Sequence, residues 1–133
     1  MKKALLLFAA LLVSGCVAGH LYPVQGPLSA QTPPPIYRVR MDNLDIVSVT
    51  LGSGDVCHGM WSNLPKEDPT SGDLSAEWDL VYGKGFFLAN VHGSTGIARA
   101  ILTCTKGTTV NVEFSSTQGV AKDSNGNVFK LTF

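Results

Sequence analysis

Apolar and polar residues alternate along most of this chain with the period of two that marks half-buried β-strands. In Tyr37-Arg38-Val39-Arg40-Met41 the arginines fall on one face and the apolar residues on the other. Residues 46–51 repeat the pattern, with Val47, Val49 and Leu51 opposite Ser48 and Thr50. Gly52-Ser53-Gly54-Asp55 has the chemistry of a hairpin loop and returns the chain into a third strand over 56–61, so these segments predict a meander. Further strands are expected over 85–91, 97–104, 109–114, 120–123 and 128–133. Asn125-Gly126, between the last two, is the preferred central pair of a type I′ turn. Only one stretch changes period: Leu74, Trp78, Val81 and Tyr82 recur at helical spacing, and Gly83 follows where a helix ends. The prediction is a mainly β domain over 36–133, a small antiparallel barrel or sandwich of about seven to eight short strands with one short helix near 73–82.

The first 35 residues follow other rules. Lys2 and Lys3 precede an uninterrupted apolar run over 4–13, which is the layout of an export signal. The run is too short to span a bilayer core, which takes about 20 helical residues. It ends at Val13-Ser14-Gly15-Cys16, two small residues before a cysteine. Residues 16–35 are rich in proline (Pro23, Pro27, Pro33, Pro34, Pro35), which argues against helix and against strand pairing, so a tether is expected there. Leu21, Tyr22, Val24 and Leu28 are more apolar than a plain spacer needs, which leaves open that the segment folds back onto the domain.

Val13-Ser14-Gly15-Cys16 resembles the lipobox of bacterial lipoprotein precursors, with valine where leucine is commonest. The resemblance implies a signal peptide over 1–15, lipidation of Cys16 as the mature N-terminus, and attachment to the lipid bilayer through two or three acyl chains. In that family aspartate after the cysteine alters sorting. Val17 therefore implies the outer membrane, facing the periplasm. The Gly83-x-Gly-Phe-Phe segment and the Gly119-Val120-Ala121-Lys122-Asp123-x-x-Gly-Asn ending resemble small proteobacterial lipoproteins, a likeness that brings no activity with it.

Charge and cysteine content change the picture in two ways. Cleavage before Cys16 removes two of the ten basic residues, so the mature chain is weakly acidic and lacks the basic footprint of a nucleic-acid binder. Of three cysteines, Cys16 is assigned to lipid, which leaves Cys57 and Cys104. In an oxidising envelope these are expected as a disulfide, the alternative being two buried thiols.

Candidate chemistry is sparse. Asp55, Cys57 and His58, with His92 or Cys104, suggest a metal site. In a strand, however, Cys57 and His58 point to opposite faces, and no zinc spacing occurs. A Cys57–His92 pair, or a set of Ser94, His92 and Asp55, can be assembled on paper only, and no nucleophile elbow is present. Gly52-Ser53-Gly54 and Gly83-Lys84-Gly85 fit turns, not phosphate loops. Trp61 is a candidate rim contact, though aromatics mark cores more often, and Trp78 with Tyr82 is a candidate aromatic box. No cofactor or metal is expected. The expected role is an anchored binding or structural accessory module whose partner is another envelope protein or a cell-wall polymer. An envelope enzyme, thiol-dependent or hydrolytic, is the alternative, with a stress-sensed lipoprotein as a third reading.

Overall fold

The computed structural model describes residues 17–42, 44–63 and 74–133. Eight antiparallel strands follow one another around a closed barrel: β1 (Val17–Gln25), β2 (Tyr37–Met41), β3 (Ile46–Thr50), β4 (Val56–Asn63), β5 (Ala98–Cys104), β6 (Thr109–Phe114), β7 (Gln118–Asp123) and β8 (Val128–Thr132). Each strand pairs with its sequence neighbour, and β1 pairs with β8 to close the cylinder, so no sheet edge is left open.

Alternation builds the core. Leu21, Val39, Val47, Val49, Leu102, Val110, Val112, Phe129 and Leu131 all point inward and are buried. Together with Cys57, Ala100 and Ala121 they form one packed cluster, the filled interior expected of a small barrel. The outward positions of β2 carry Arg38 and Arg40. A transmembrane barrel has the opposite arrangement, with its apolar band outside.

The tether expected over 16–35 is corrected. Val17–Gln25 is the strand that closes the barrel, with Gly19, Leu21 and Pro23 inward and His20, Tyr22 and Val24 exposed. Pro23 has no N–H to give to a ladder, and the register with β8 shifts between Pro23 and Gln25. The chain then makes a short 3-10 turn, Pro27–Ala30, that docks on the neighbouring β7–β8 hairpin: Leu28 N–H donates to Asn127 Oδ1 at 2.9 Å.

Helix α1 (Ser75–Tyr82) forms where the period changes, and its Leu74–Trp78–Val81 stripe packs on the outer face of the barrel over Val120. Trp78 Nε1 donates to Glu113 Oε1 at 3.0 Å, and Lys122 Nζ lies 3.3 Å from Glu77 Oε1. The Tyr82 hydroxyl donates between the carbonyls of Gly119 (2.8 Å) and Leu131 (3.2 Å).

Two local expectations fail for identifiable reasons. The strand predicted over 85–91 is a wide helical turn, Phe87–Val91. Gly83 and Gly85 have φ of 116° and 86° and reverse the chain, and Phe87 N–H is capped by Asp79 Oδ1 at 2.8 Å. Phe86 then stacks on Tyr82 with ring centroids 4.9 Å apart. The last hairpin is not a type I′ turn, because Asn125 does not take the positive φ that such a turn needs; Gly126 alone does, at 88°. The Asp123 carboxylate organises a longer loop instead, accepting from Asn125 N–H (2.9 Å), Asn127 N–H (2.8 Å) and Asn127 Nδ2 (2.8 Å).

Candidate functional site

Antiparallel register decides which residues share an end of the barrel. Val17 lies opposite Met41, Ala98 lies opposite both Asn63 and Phe114, and Gln118 lies opposite Thr132. One rim therefore gathers the start of β1, the ends of β2, β4 and β6, and the C-terminal residue. The other gathers Cys57, Cys104 and the hairpin around Asn125-Gly126.

At the first rim Val17, Met41, Trp61, Phe114 and Phe133 line an open pocket of about 250 Å³, bordered by Asp42, Ser115 and Ser116. Phe114 forms its floor, packed edge-on against Trp61 (centroids 6.0 Å) and Phe133 (6.0 Å). Trp61 is half-buried: it caps the core from within and offers its outer edge to solvent, so the rim and core alternatives for this residue both apply. Val17, Leu44, Met60 and Phe133 add exposed apolar surface from the same end. This mouth is not legible as a unit in the sequence because it is assembled from five strand ends far apart in the chain. Its one legible signal was an aromatic or apolar residue at the last position of several strands.

At the other rim Cys57 and Cys104 are direct cross-strand partners on β4 and β5, joined by a disulfide with S–S 1.97 Å. The pairing removes the thiols that a Cys57–His92 nucleophile would need. It also disposes of the metal candidate: a donor atom of Asp55 lies within 4.8 Å of both sulfurs, but those sulfurs are bonded to each other rather than free thiolates. His58 points outward, away from Cys57, as strand geometry requires.

Asp55 has a structural role. Its Oδ1 accepts from Lys106 N–H at 2.8 Å and from Thr105 Oγ1 at 3.3 Å, which ties the β3–β4 loop to the β5–β6 turn. The Lys106 main-chain N–H, more than the hydroxyls beside it, holds the Asp55 carboxyl below the usual carboxylate range against the opposing effect of burial. A depressed folded-state value stabilises the fold above the unfolded carboxyl pKa, and that contribution is lost as pH falls through the folded one. Asp55→Asn is thus expected to lower the melting temperature at neutral pH and to flatten its fall below about pH 4. Parallel acid limbs for both proteins in a melting-temperature series would rule this role out.

Ser94, His92 and Asp55 form no hydrogen bond with one another among the described residues; His92 packs on the Phe87 ring and Ser94 Oγ accepts from Gly96 N–H. Trp78 and Tyr82 do adjoin, 5.6 Å apart, but Trp78 is buried beneath the helix and serves as packing. Cys16 lies outside the described residues. No helix among the described residues is long and apolar enough to cross a membrane. Comparison with protein-family models, with curated proteins and with solved structures finds no match for this chain.

Proposed function

We propose that this is a lipid-anchored lipoprotein of the bacterial outer membrane, facing the periplasm, whose barrel acts as a binding or structural accessory module. The lipobox-like Val13-Ser14-Gly15-Cys16 carries the anchor, and the position of Val17 supports which end of the barrel meets the bilayer. One Cα–Cα step of about 3.8 Å separates Val17 from Cys16, and Val17 lines the apolar mouth. An acyl-bearing Cys16 would therefore bring the bilayer to the rim that carries Trp61 and Phe133, with no standoff between them. Indole and phenyl rings favour that interfacial depth. The anchor itself comes from the acyl chains, since a single chain is only a marginal tether and two or more bind durably. Against the enzymatic alternative stands the loss of Cys57 and Cys104 as nucleophiles to the disulfide.

Mass analysis of the N-terminal peptide after expression in a Gram-negative host is expected to show Cys16 carrying acyl chains, and the protein to sediment with outer membranes. Brominated acyl chains in reconstituted vesicles should quench the part of the fluorescence that Trp61→Phe removes. An unmodified N-terminus in the soluble fraction would refute the anchor. An acylated protein with unquenched Trp61 would refute contact between the mouth and the bilayer.

A further inference from the structure

The barrel wall is charged asymmetrically. Strands β6 to β8 and helix α1 contain Glu77, Asp79, Glu113 and Asp123 against two lysines, Lys122 and Lys130. The five strands β1 to β5 contain no aspartate or glutamate, while they carry Arg38, Arg40, Arg99, His20 and His58. The helix and the turn after it cover part of β6 to β8, and among the described residues no helix packs on the outer face of β1 to β4.

On that face the cross-strand register sets out two rows. Arg40, Ser48, His58 and Thr103 are successive partners across β2 to β5, and His20 is the partner of Arg38. Arg38 and Arg40, two residues apart on one strand, stand about 7 Å from each other on the same side. Both are exposed, and neither forms an ion pair among the described residues. They border an open, shallow depression of about 380 Å³ that Ser48, Thr50 and Val56 complete. Two of the carboxylates in the flanking loops are engaged elsewhere: Asp42 Oδ1 accepts the N–H groups of Leu44 (2.9 Å) and Ile46 (3.1 Å), and Asp55 accepts that of Lys106, while Asp45 is exposed in the β2–β3 turn.

We infer that this face binds a polymer of sugars that carries free carboxylates, namely the peptidoglycan of the cell wall. The inference names the partner of the module proposed above and takes the envelope location from it. Guanidinium groups fork onto carboxylates with two parallel hydrogen bonds and hold their charge at any physiological pH. The hydroxyls of Ser48, Thr50 and Thr103 suit sugar hydroxyls. The exposed ring of Tyr22, 6.3 Å from that of His20, offers a flat surface for the apolar face of a pyranose. A shallow, row-like site suits an extended chain better than a small anion, which would call for an enclosing pocket. An acidic protein would meet the arginines equally well but has less use for the hydroxyl and ring components.

The test is co-sedimentation of the full chain, in detergent, with purified peptidoglycan sacculi. Saturable binding that weakens with salt is expected. Arg38→Ala and Arg40→Ala should each weaken it about tenfold, and the double variant about a hundredfold. Lys84→Ala, an exposed cation outside the face, should leave it unchanged. Both arginines are exposed, so an unaltered melting temperature will show that the variants fold. Converting the sacculus carboxylates to amides should abolish binding. No sedimentation of the wild type, or undiminished binding by the double variant, would overturn the inference. So would tighter binding to immobilised polyglutamate than to sacculi at equal carboxylate concentration, since the hydroxyl and ring contacts would then contribute nothing and an acidic polypeptide would be the better ligand. The assay does not depend on acylation of Cys16, so its failure is distinct from failure of the anchor, which the N-terminal mass reports.

Discussion

Cys57→Ala/Cys104→Ala is expected to melt about 15 °C below the wild type. The disulfide closes a loop with a sequence separation of 47. In the chain-entropy description, releasing a loop of that length costs about 4 kcal/mol. A domain of this size shifts by about 4 °C per kcal/mol. The effect is large because the core is a single small cylinder, and because the bridge pins β4 to β5 across the long insertion that holds α1. Alanine is the right replacement at Cys57, which is fully buried beside Val49 and Leu102 in the core cluster; serine would add an unsatisfied hydroxyl. Wild-type protein melted in reductant should show the same drop as the double variant. A difference below about 3 °C in both experiments would mean that the unfolded chain gains little freedom when the bond is absent.

The cysteine pair was legible because arithmetic and register agree: once Cys16 is set aside two cysteines remain, and both sit on strands that alternate cleanly. The same clarity holds for β2, β3, β6 and β8, whose turns carry glycine or asparagine. Barrel could not be told from sandwich, because closure depends on β1, and β1 was hidden. Its own alternation, Gly19, Leu21 and Pro23 against His20, Tyr22 and Val24, is as regular as that of β2. Proline chemistry outweighed it. The penalty for proline falls on ladder hydrogen bonds, and β1 tolerates it at Pro23 by slipping register against β8. Residues 86–91 failed for a different reason. A short apolar run has no intrinsic period, and the deciding contact, Asp79 Oδ1 on Phe87 N–H, is tertiary in character.

The functional surfaces were less legible than the fold. Net charge near zero excluded a basic footprint for the chain as a whole, yet it conceals that strands β1 to β5 carry arginines and no acid, while the acids of the regular elements lie on β6, β7 and α1. The apolar mouth draws on residues from 17 to 133 and exists only once the cylinder closes. Single residues such as Trp61 hinted at it, but no local pattern could assemble it.

Trp78→Ala is expected to destabilise the protein by about 3–5 kcal/mol, the usual cost of removing a buried large aromatic side chain. Trp78 is 1% exposed and lies at the centre of the cluster that joins α1 to the barrel, with Phe86 stacked on it at 5.9 Å. Its indole also supplies a hydrogen bond to Glu113, whose side chain projects from the outer face of β6 and is fully buried under the helix. Trp78→Phe separates the two contributions. It keeps most of the ring packing but removes the indole donor from Glu113, at a cost of about 1–3 kcal/mol. Urea unfolding followed through Trp61, which packs on Phe114 at the barrel mouth and not in the cluster under the helix, gives the sharper readout. The helix covers Val120, which is fully buried, so detaching it would expose apolar surface of the barrel to water. A single transition is therefore expected, with Trp61 and the far-ultraviolet signal changing together at a lower midpoint. Two separated transitions, with Trp61 unaffected in the first, would show that the cylinder stands without its helix. The closed ring of eight strands alone would then account for the stability of the domain.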